Sequence, residues 1–444
     1  MRNNKKVILT VVVLMLVLMV VGCGKEAAKD PSPAEKPIEE GFVVETPTTI
    51  NMFGMRFAAM ELFESKMKEL GKTTPNLTVN TKLVGWSDLE NQSKVILSAG
   101  GTSPYEILQA FNGWMPEYIH NQWVLPLNEY VEKYRDEYDL DDISQSLWDV
   151  CSDDGVIYGF PFQQNLQHIF YRTDLFEEYN LQPPKTFDEL FQVLDVLKEK
   201  GDTQYQFALA LDGASGAATE FNNALIAFGG EWFDENDNPA FNSEAGVKAI
   251  ELLKKLLPYM PREVLSYTNS DVSVAFQQEL VAVINIWTSR AGEITDPTVS
   301  KVADRVGFAP APSSVIGGIP YTNWTQDMFV IPANVGGDPE LIFRFIAETL
   351  KYDTMVEAAP LAIGSRSSVA ENPSIIAAHP NYVAVMETIE NGAKSYPIKP
   401  YFGSARLIVG SYVAKALAGE ITAEEALKKA EEEVLKDMQE KGFK

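Results

Sequence analysis

The chain has 444 residues, 45% of them hydrophobic, with 23 Phe, 17 Tyr and 7 Trp, which is material for a packed core and excludes a disordered acidic tail. Its formal net charge of −25 argues against nucleic acid, because no basic stripe is present to displace counterions from phosphates, and 3 His and 2 Cys leave little for metal or nucleophilic chemistry. The length predicts two or three packed units, or one protein of two interleaved lobes.

Residues 1–22 begin with Arg2, Lys5 and Lys6, continue in an apolar run from Val7 to Val21 broken by Thr10, and end in Gly22 before Cys23. That run is shorter than the roughly 20 residues a spanning helix needs, so the segment is predicted to be an export signal. Val20-Val21-Gly22-Cys23 resembles the bacterial lipobox, which implies that Cys23 is acylated and becomes the new N-terminus. Lys25 to Thr46 is rich in Pro, Glu, Lys and Ala without apolar periodicity and is predicted to be a solvated spacer, so that residues 23–46 form a lipidated tether. Cys151, left without a thiol partner, is expected to be a small buried hydrophobe.

From Thr48 onward, β-branched and aromatic runs alternate with amphipathic stretches. Thr48 to Phe53, Leu77 to Val84 and Tyr105 to Phe111 read as strands, and Ala58 to Leu70 and Ser87 to Ala99 as helices. This βαβαβ order implies parallel sheets covered by helices, with crevices outside the strand C-termini. Phe187 to Lys200 reads as a helix capped by Thr186 with Glu189, followed by a strand at Gln206 to Leu211 and helices at Phe221 to Phe228 and Ser243 to Leu257. Leu280 to Ile286 and Met328 to Ile331 read as strands, and Pro339 to Leu350, Ile408 to Leu417 and Ala423 to Lys441 as helices. No long linker follows Thr46, so one interleaved body is expected.

Several segments resemble the extracellular solute-binding lipoproteins of ABC importers, in the sugar and oligosaccharide group. Ser98-Ala99-Gly100-Gly101-Thr102-Ser103-Pro104-Tyr105-Glu106-Ile107 resembles that family's "AAG-x-x-PD-V" turn, with Glu106 in place of Asp and one residue inserted. Asp154-Gly155-Val156-Ile157-Tyr158-Gly159-Phe160-Pro161 and Ile169-Phe170-Tyr171-Arg172-Thr173-Asp174-Leu175-Phe176 are similar to "DGKIYGLP…LYYNKDLF", and Pro183-Pro184-Lys185-Thr186-Phe187-Asp188-Glu189-Leu190 to "PPKTWDEL". The resemblance implies an α/β, two-lobed periplasmic-binding-protein-like (type II) fold, each lobe a mostly parallel sheet flanked by helices. It further implies chain crossings near 163–168, 287–292 and 326–331. On that basis residues 47–165 with 290–327 are expected to form the N-terminal lobe, and 166–289 with 328–444 the C-terminal lobe. Departures from the family occur at Ile284-Asn285-Ile286, where a Gly-rich approach is usual, and at Gln109-Ala110, where some sugar binders carry an aromatic.

A sugar presents apolar C–H faces and many hydroxyls, so its site needs flat aromatic rings and planar hydrogen-bonding groups. The candidates at strand ends and expected crossings are Asn112, Trp114, Gln163, Gln164, Asn165, Trp287 and Trp324, with Trp232 at the cleft rim. The resemblance adds Asp212, Arg366 and Tyr401. Trp86, Trp123 and Trp148 lie beside amphipathic helices and are expected in the core. Asp234 to Asn238 resembles a calcium loop faintly but lacks its central Gly and terminal Glu, so a turn is expected and no metal or other cofactor.

The function this implies is reversible capture of a sugar or oligosaccharide by a non-enzymatic, monomeric binding protein that serves ABC permease subunits. It would be lipid-anchored to the outer face of the cytoplasmic membrane. The alternatives are a binder of a cationic solute such as a polyamine, favoured by the negative charge, an exported glycoside hydrolase, which needs two opposed carboxylates, and an adhesin or sensor that binds without transport.

Overall fold

In a computed structural model that describes residues 42–444, the strands Thr48–Met55, Leu77–Val84 and Ile107–Phe111 run parallel, linked by the helices Ala58–Thr73 and Trp86–Ser98. Thr325–Val330 joins antiparallel to Ile107–Phe111, Phe160–Asn165 pairs antiparallel with Thr325–Val330 and so runs in the direction of the first three, and the short Ile363–Gly364 closes the far edge. The resulting six-stranded sheet has the order Ile363–Gly364, Phe160–Asn165, Thr325–Val330, Ile107–Phe111, Thr48–Met55, Leu77–Val84. Composition follows position. The central Ile107–Phe111 is buried throughout, whereas the edge strand Leu77–Val84 turns Thr78, Asn80 and Lys82 to water.

A second, four-stranded sheet has the order Val306–Ala309, Gln167–Arg172, Val281–Trp287, Tyr205–Ala208. Only its Tyr205–Ala208 and Val281–Trp287 pair is parallel. The two sheets, each with its helices, are the two lobes. The chain passes from the first to the second at Leu166, between Asn165 and Gln167.

Local chemistry sets the helix ends. Thr186 Oγ1 accepts from the Glu189 N–H at 3.2 Å while the Glu189 carboxylate accepts from the Lys185 N–H at 2.7 Å, and Gly201, at φ 77°, takes the left-handed position that ends the helix. In the second lobe the helix Gly213–Ala227 lies along Phe402–Leu417, and the approach is so close that a Cβ at Gly410 would sit 2.0 Å from the Ala214 carbonyl oxygen. Cys151 is fully buried, and Gln326 Nε2 contacts its sulfur at 3.0 Å.

Four expectations need correction. The solvated spacer ends before Thr46, because Phe42 packs on Phe345 with ring centroids 6.1 Å apart and Val44 is buried with its carbonyl accepting from Asn76 Nδ2. The stretch 290–327 does not stay with the first lobe: Val306–Ala309 pairs with Gln167–Arg172 in the four-stranded sheet. Thr288–Arg290 only touches the Ala58–Thr73 helix before the chain returns, so the crossing into the first lobe lies at 310–324 instead of at 287–292 or 326–331. Finally, Thr325–Val330 and Ile363–Gly364 belong to the six-stranded sheet, so the first lobe continues well past 327, and the chain meets the second lobe again at the helix Asn381–Glu390, which packs on Val306–Ala309 and Gln167–Arg172, before Phe402–Leu417. The signal segment 1–22, Cys23 and the tether up to residue 41 lie outside the described residues. Among those described, no helix is long and apolar enough to cross a membrane.

Candidate functional site

A cavity of about 360 Å³ lies between the lobes, at the scale of a small-ligand site. Its first wall is built where strands of the six-stranded sheet end: Met55 and Arg56 after the first strand, Gly85 to Asp88 after the second, Phe111 at the end of the third, and Asn165 at the crossing. Thr325 and Asp327 complete it from the antiparallel strand. The second wall comes from Ala210 and Asp212, which follow the strand Tyr205–Ala208, from Ser215, Gly216, Thr219 and Glu220 on the next helix, from Thr268 to Ser270, and from Trp287, Ser289 and Arg290. Tyr396 closes one side.

Asp327 shows how the backbone positions a polar group. The ladder between Thr325–Val330 and Phe160–Asn165 slips beside it, with Asp327 opposite Gln163 but Met328 opposite Pro161, leaving Phe162 as the extra residue of a bulge. Gln163 Nε2 donates to one carboxylate oxygen at 2.6 Å and Gln109 Nε2 reaches the other at 3.3 Å. Gln109, one of the two positions where some sugar binders carry an aromatic, therefore holds an acid in place. Burial raises the Asp327 carboxyl to about 6 despite these donors.

Glu220 is fixed in the same way in the other lobe. Tyr321 donates its hydroxyl to Oε2 at 2.6 Å and Gln167 Nε2 donates to Oε1 at 2.8 Å, with Asn223 Nδ2 in turn donating to Gln167. Burial pushes this carboxyl up to about 7. Asp212, which opens the helix Gly213–Ala227, is raised to about 6 by burial, with Asp271 adding to the effect. Each of the three takes up a proton in the folded state at a pH where the unfolded chain has released it, so stability falls as pH rises through 6 and 7. The melting temperature is expected to climb from pH 8 to pH 5, and Glu220→Gln should flatten the upper part of that dependence in a thermal-unfolding series.

Of the residues singled out from sequence, Asn165, Asp212 and Trp287 line the cavity. Asn165 bonds Ser289 across the crossing, its Nδ2 donating to Ser289 Oγ at 3.1 Å. The others lie elsewhere for identifiable reasons. Asn112 donates to Ser395 Oγ at 2.6 Å and accepts from the Gln326 N–H, and Gln163 is engaged by Asp327. Gln164 sits in the ladder opposite Gln326 and Ile363. Trp114 is buried behind the wall, stacked on Trp86 at 5.0 Å with its indole N–H on Glu90. Trp232 is packed among Phe221, Phe241 and Phe402 and donates to Asn222 at 2.8 Å. Trp324 packs with Leu166, Ile363 and Tyr382 around the crossing. Tyr401 is buried against Phe233 and Phe443, and Arg366 is a buried staple for backbone carbonyls.

Trp86, assigned to the core from sequence, instead lines the cavity with one face on Trp114. Its place directly after a parallel strand is the signal that could have found it. Asp88, Glu220 and the Thr268 to Ser270 turn carry no such signal, since each looks like ordinary helix or turn surface in the sequence. The Asp234 carboxylate is occupied by the Asn236 and Asn238 donors of its own loop.

Two α/β lobes with a polar, aromatic-walled cavity between them, outside the strand ends, define a ligand-capturing protein of the two-lobed periplasmic binding type. Residues 57–347 match the family described as bacterial extracellular solute-binding protein, and the chain belongs to that family. It is similar to a mannitol-binding protein of Pseudomonas aeruginosa, 28% identical over 335 residues that cover 69% of this chain and 75% of that protein. Among solved structures, a solute-binding protein of Agrobacterium radiobacter in complex with ribitol superposes with a TM-score of 0.80 at 23% identity, covering 88% of this chain and 99% of that one. Another, from Agrobacterium vitis with bound D-mannitol, gives 0.79 at 23% identity, with 89% and 99% covered.

Proposed function

We propose that the chain is the capturing component of an ABC importer for a small carbohydrate, either a sugar or a sugar alcohol. The observation that carries this reading is the chemistry of the cavity. Trp86 and Trp287 offer flat apolar faces from opposite lobes, and Asn165, Thr219, Ser289, Asp212 and Asp327 surround them with hydroxyl-reading groups. A ligand that touches both lobes binds only the closed form, so it shifts the open–closed equilibrium by its differential affinity and leaves the cavity unchanged when it departs. The mannitol-binding relative supports the same class of ligand. Export directed by residues 1–22 and acylation of Cys23 would place the protein at the outer face of the membrane, as a monomer that meets its permease there.

One observation favours a second reading, a cationic solute. Asp88, Asp212, Glu220 and Asp327 all line the cavity, whereas its two arginines are each matched, Arg56 to Glu61 at 2.8 Å and Arg290 to Glu293 at 3.3 Å. Thermal-shift screening of the purified protein with sugars, sugar alcohols and polyamines separates the two. Stabilisation by sugars or polyols, insensitive to salt, is expected. Stabilisation by spermidine alone, fading as salt is raised, would replace the first reading with the second.

A further inference from the structure

One face of the helix Trp86–Ser98 meets the other lobe over successive turns. At the cavity, Trp86 Nε1 donates to Ser215 Oγ at 3.2 Å. One turn on, Glu90 Oε1 accepts from Arg406 Nη2 at 2.6 Å, with both side chains almost wholly buried. Trp114 Nε1 donates to the same Glu90 oxygen at 3.3 Å, and Arg406 also reaches Ser215 Oγ at 3.4 Å. A further turn on, Lys94 pairs with Glu117 at 2.8 Å directly against Gly403, where a Cβ would lie 3.1 Å from the Glu117 carboxylate. Positions 86, 90 and 94 span about 12 Å of helix, and Ser215, Arg406 and Gly403 belong to the paired helices Gly213–Ala227 and Phe402–Leu417 of the second lobe.

We propose that this seam, centred on Glu90 and Arg406, is a length stop that seals one end of the cavity, so that the site takes single-ring sugars or open-chain polyols and rejects chains of three or more rings. The proposal rests on the carbohydrate reading above. A ligand running past Trp86 has to part helix faces that meet through a buried ion pair, and each charge is then left without its partner in a site built to exclude water. A compact ligand lets the pair form as the lobes close, so closure itself discriminates by length. The aromatics that could extend a stacking platform in this direction, Trp114 and Trp232, are buried behind or beyond the seam.

The test is calorimetric titration of the purified protein with ribitol, D-mannitol, D-glucose, D-mannose, D-xylose and N-acetylglucosamine, and with the linear di-, tri- and tetramers of the four sugars. The trimer and tetramer of any sugar that binds are expected to bind at least about a hundredfold more weakly than the monomer, and E90A/R406A should narrow that gap about tenfold. A trimer that binds the wild type as tightly as its monomer would overturn the length stop while leaving the carbohydrate reading in place. So would a folded E90A/R406A variant with an unchanged length preference, and should that variant not fold, the wild-type series decides between the outcomes by itself. Failure of every sugar and polyol, with a response to spermidine, removes the carbohydrate reading and the length stop with it.

Discussion

Arg366→Ala is expected to destabilise the protein by about 3–5 kcal/mol while leaving ligand affinity of the folded fraction unchanged. The guanidinium is buried and directs its donors to three backbone carbonyls, Nε to Leu350, Nη1 to Asp139 and Nη2 to Tyr138, each at 2.9 Å. These carbonyls belong to two stretches far apart in sequence, so one planar fork ties the end of the helix Pro339–Thr349 to the loop after Asn128–Lys133. Alanine leaves the buried carbonyls of Leu350 and Tyr138 without the guanidinium donors, while the Asp139 carbonyl keeps only the Asp142 N–H, and lysine, with a single ammonium, cannot reproduce the fork. Urea denaturation of wild type, Arg366→Lys and Arg366→Ala should therefore rank them in that order. A fall in affinity without a fall in stability would return Arg366 to the ligand.

Trp287→Ala should have the opposite profile. Trp287 ends the strand Val281–Trp287 at the cavity and is only partly buried, so its removal takes a stacking face from the ligand and comparatively little from the core. A loss of affinity of about tenfold to a hundredfold is expected, or roughly 1.4–3 kcal/mol, with the melting temperature of the ligand-free protein nearly unchanged. Titration of the carbohydrate that gives the largest thermal shift, alongside unfolding of the unliganded variant, measures both. Trp324→Ala makes the contrast, because Trp324 packs at the crossing and should cost stability first.

These two residues also show where sequence reasoning reaches and where it stops. Elements with strong periodicity and caps are legible: the helix Phe187–Lys200 and the strand Leu77–Val84 begin and end where their patterns say. In the helix Gly213–Ala227 the apolar pattern sets in only at Phe221, because Gly213 to Thr219 offers small residues in place of an apolar stripe. That composition exists for the neighbouring helix, which comes close enough at Gly410 to exclude larger side chains. In the site, position at a strand end predicts proximity to the cavity but not which way a side chain turns. Trp114 and Trp86 both follow strands. Trp114 is drawn inward by Glu90, a partner that sequence proximity does not reveal, and Trp86 is left as the half-buried member of the stack, facing the cavity. Glu220 sits inside a helix, and only the tertiary arrangement of Gln167 and Tyr321 makes it a cavity group.

The docking of Phe42 on Phe345 has a mechanical consequence. If Cys23 moors the chain, tension along the leash arrives at the helix Pro339–Thr349 and is borne by the six-stranded half. The other half is joined to it by the crossover segments and by the contacts that the helix Trp86–Ser98 makes with the second lobe, and takes up load from the membrane only through them. The jaw that swings is then not the jaw that is moored, and lengthening the leash would extend the protein's reach without altering how readily it shuts.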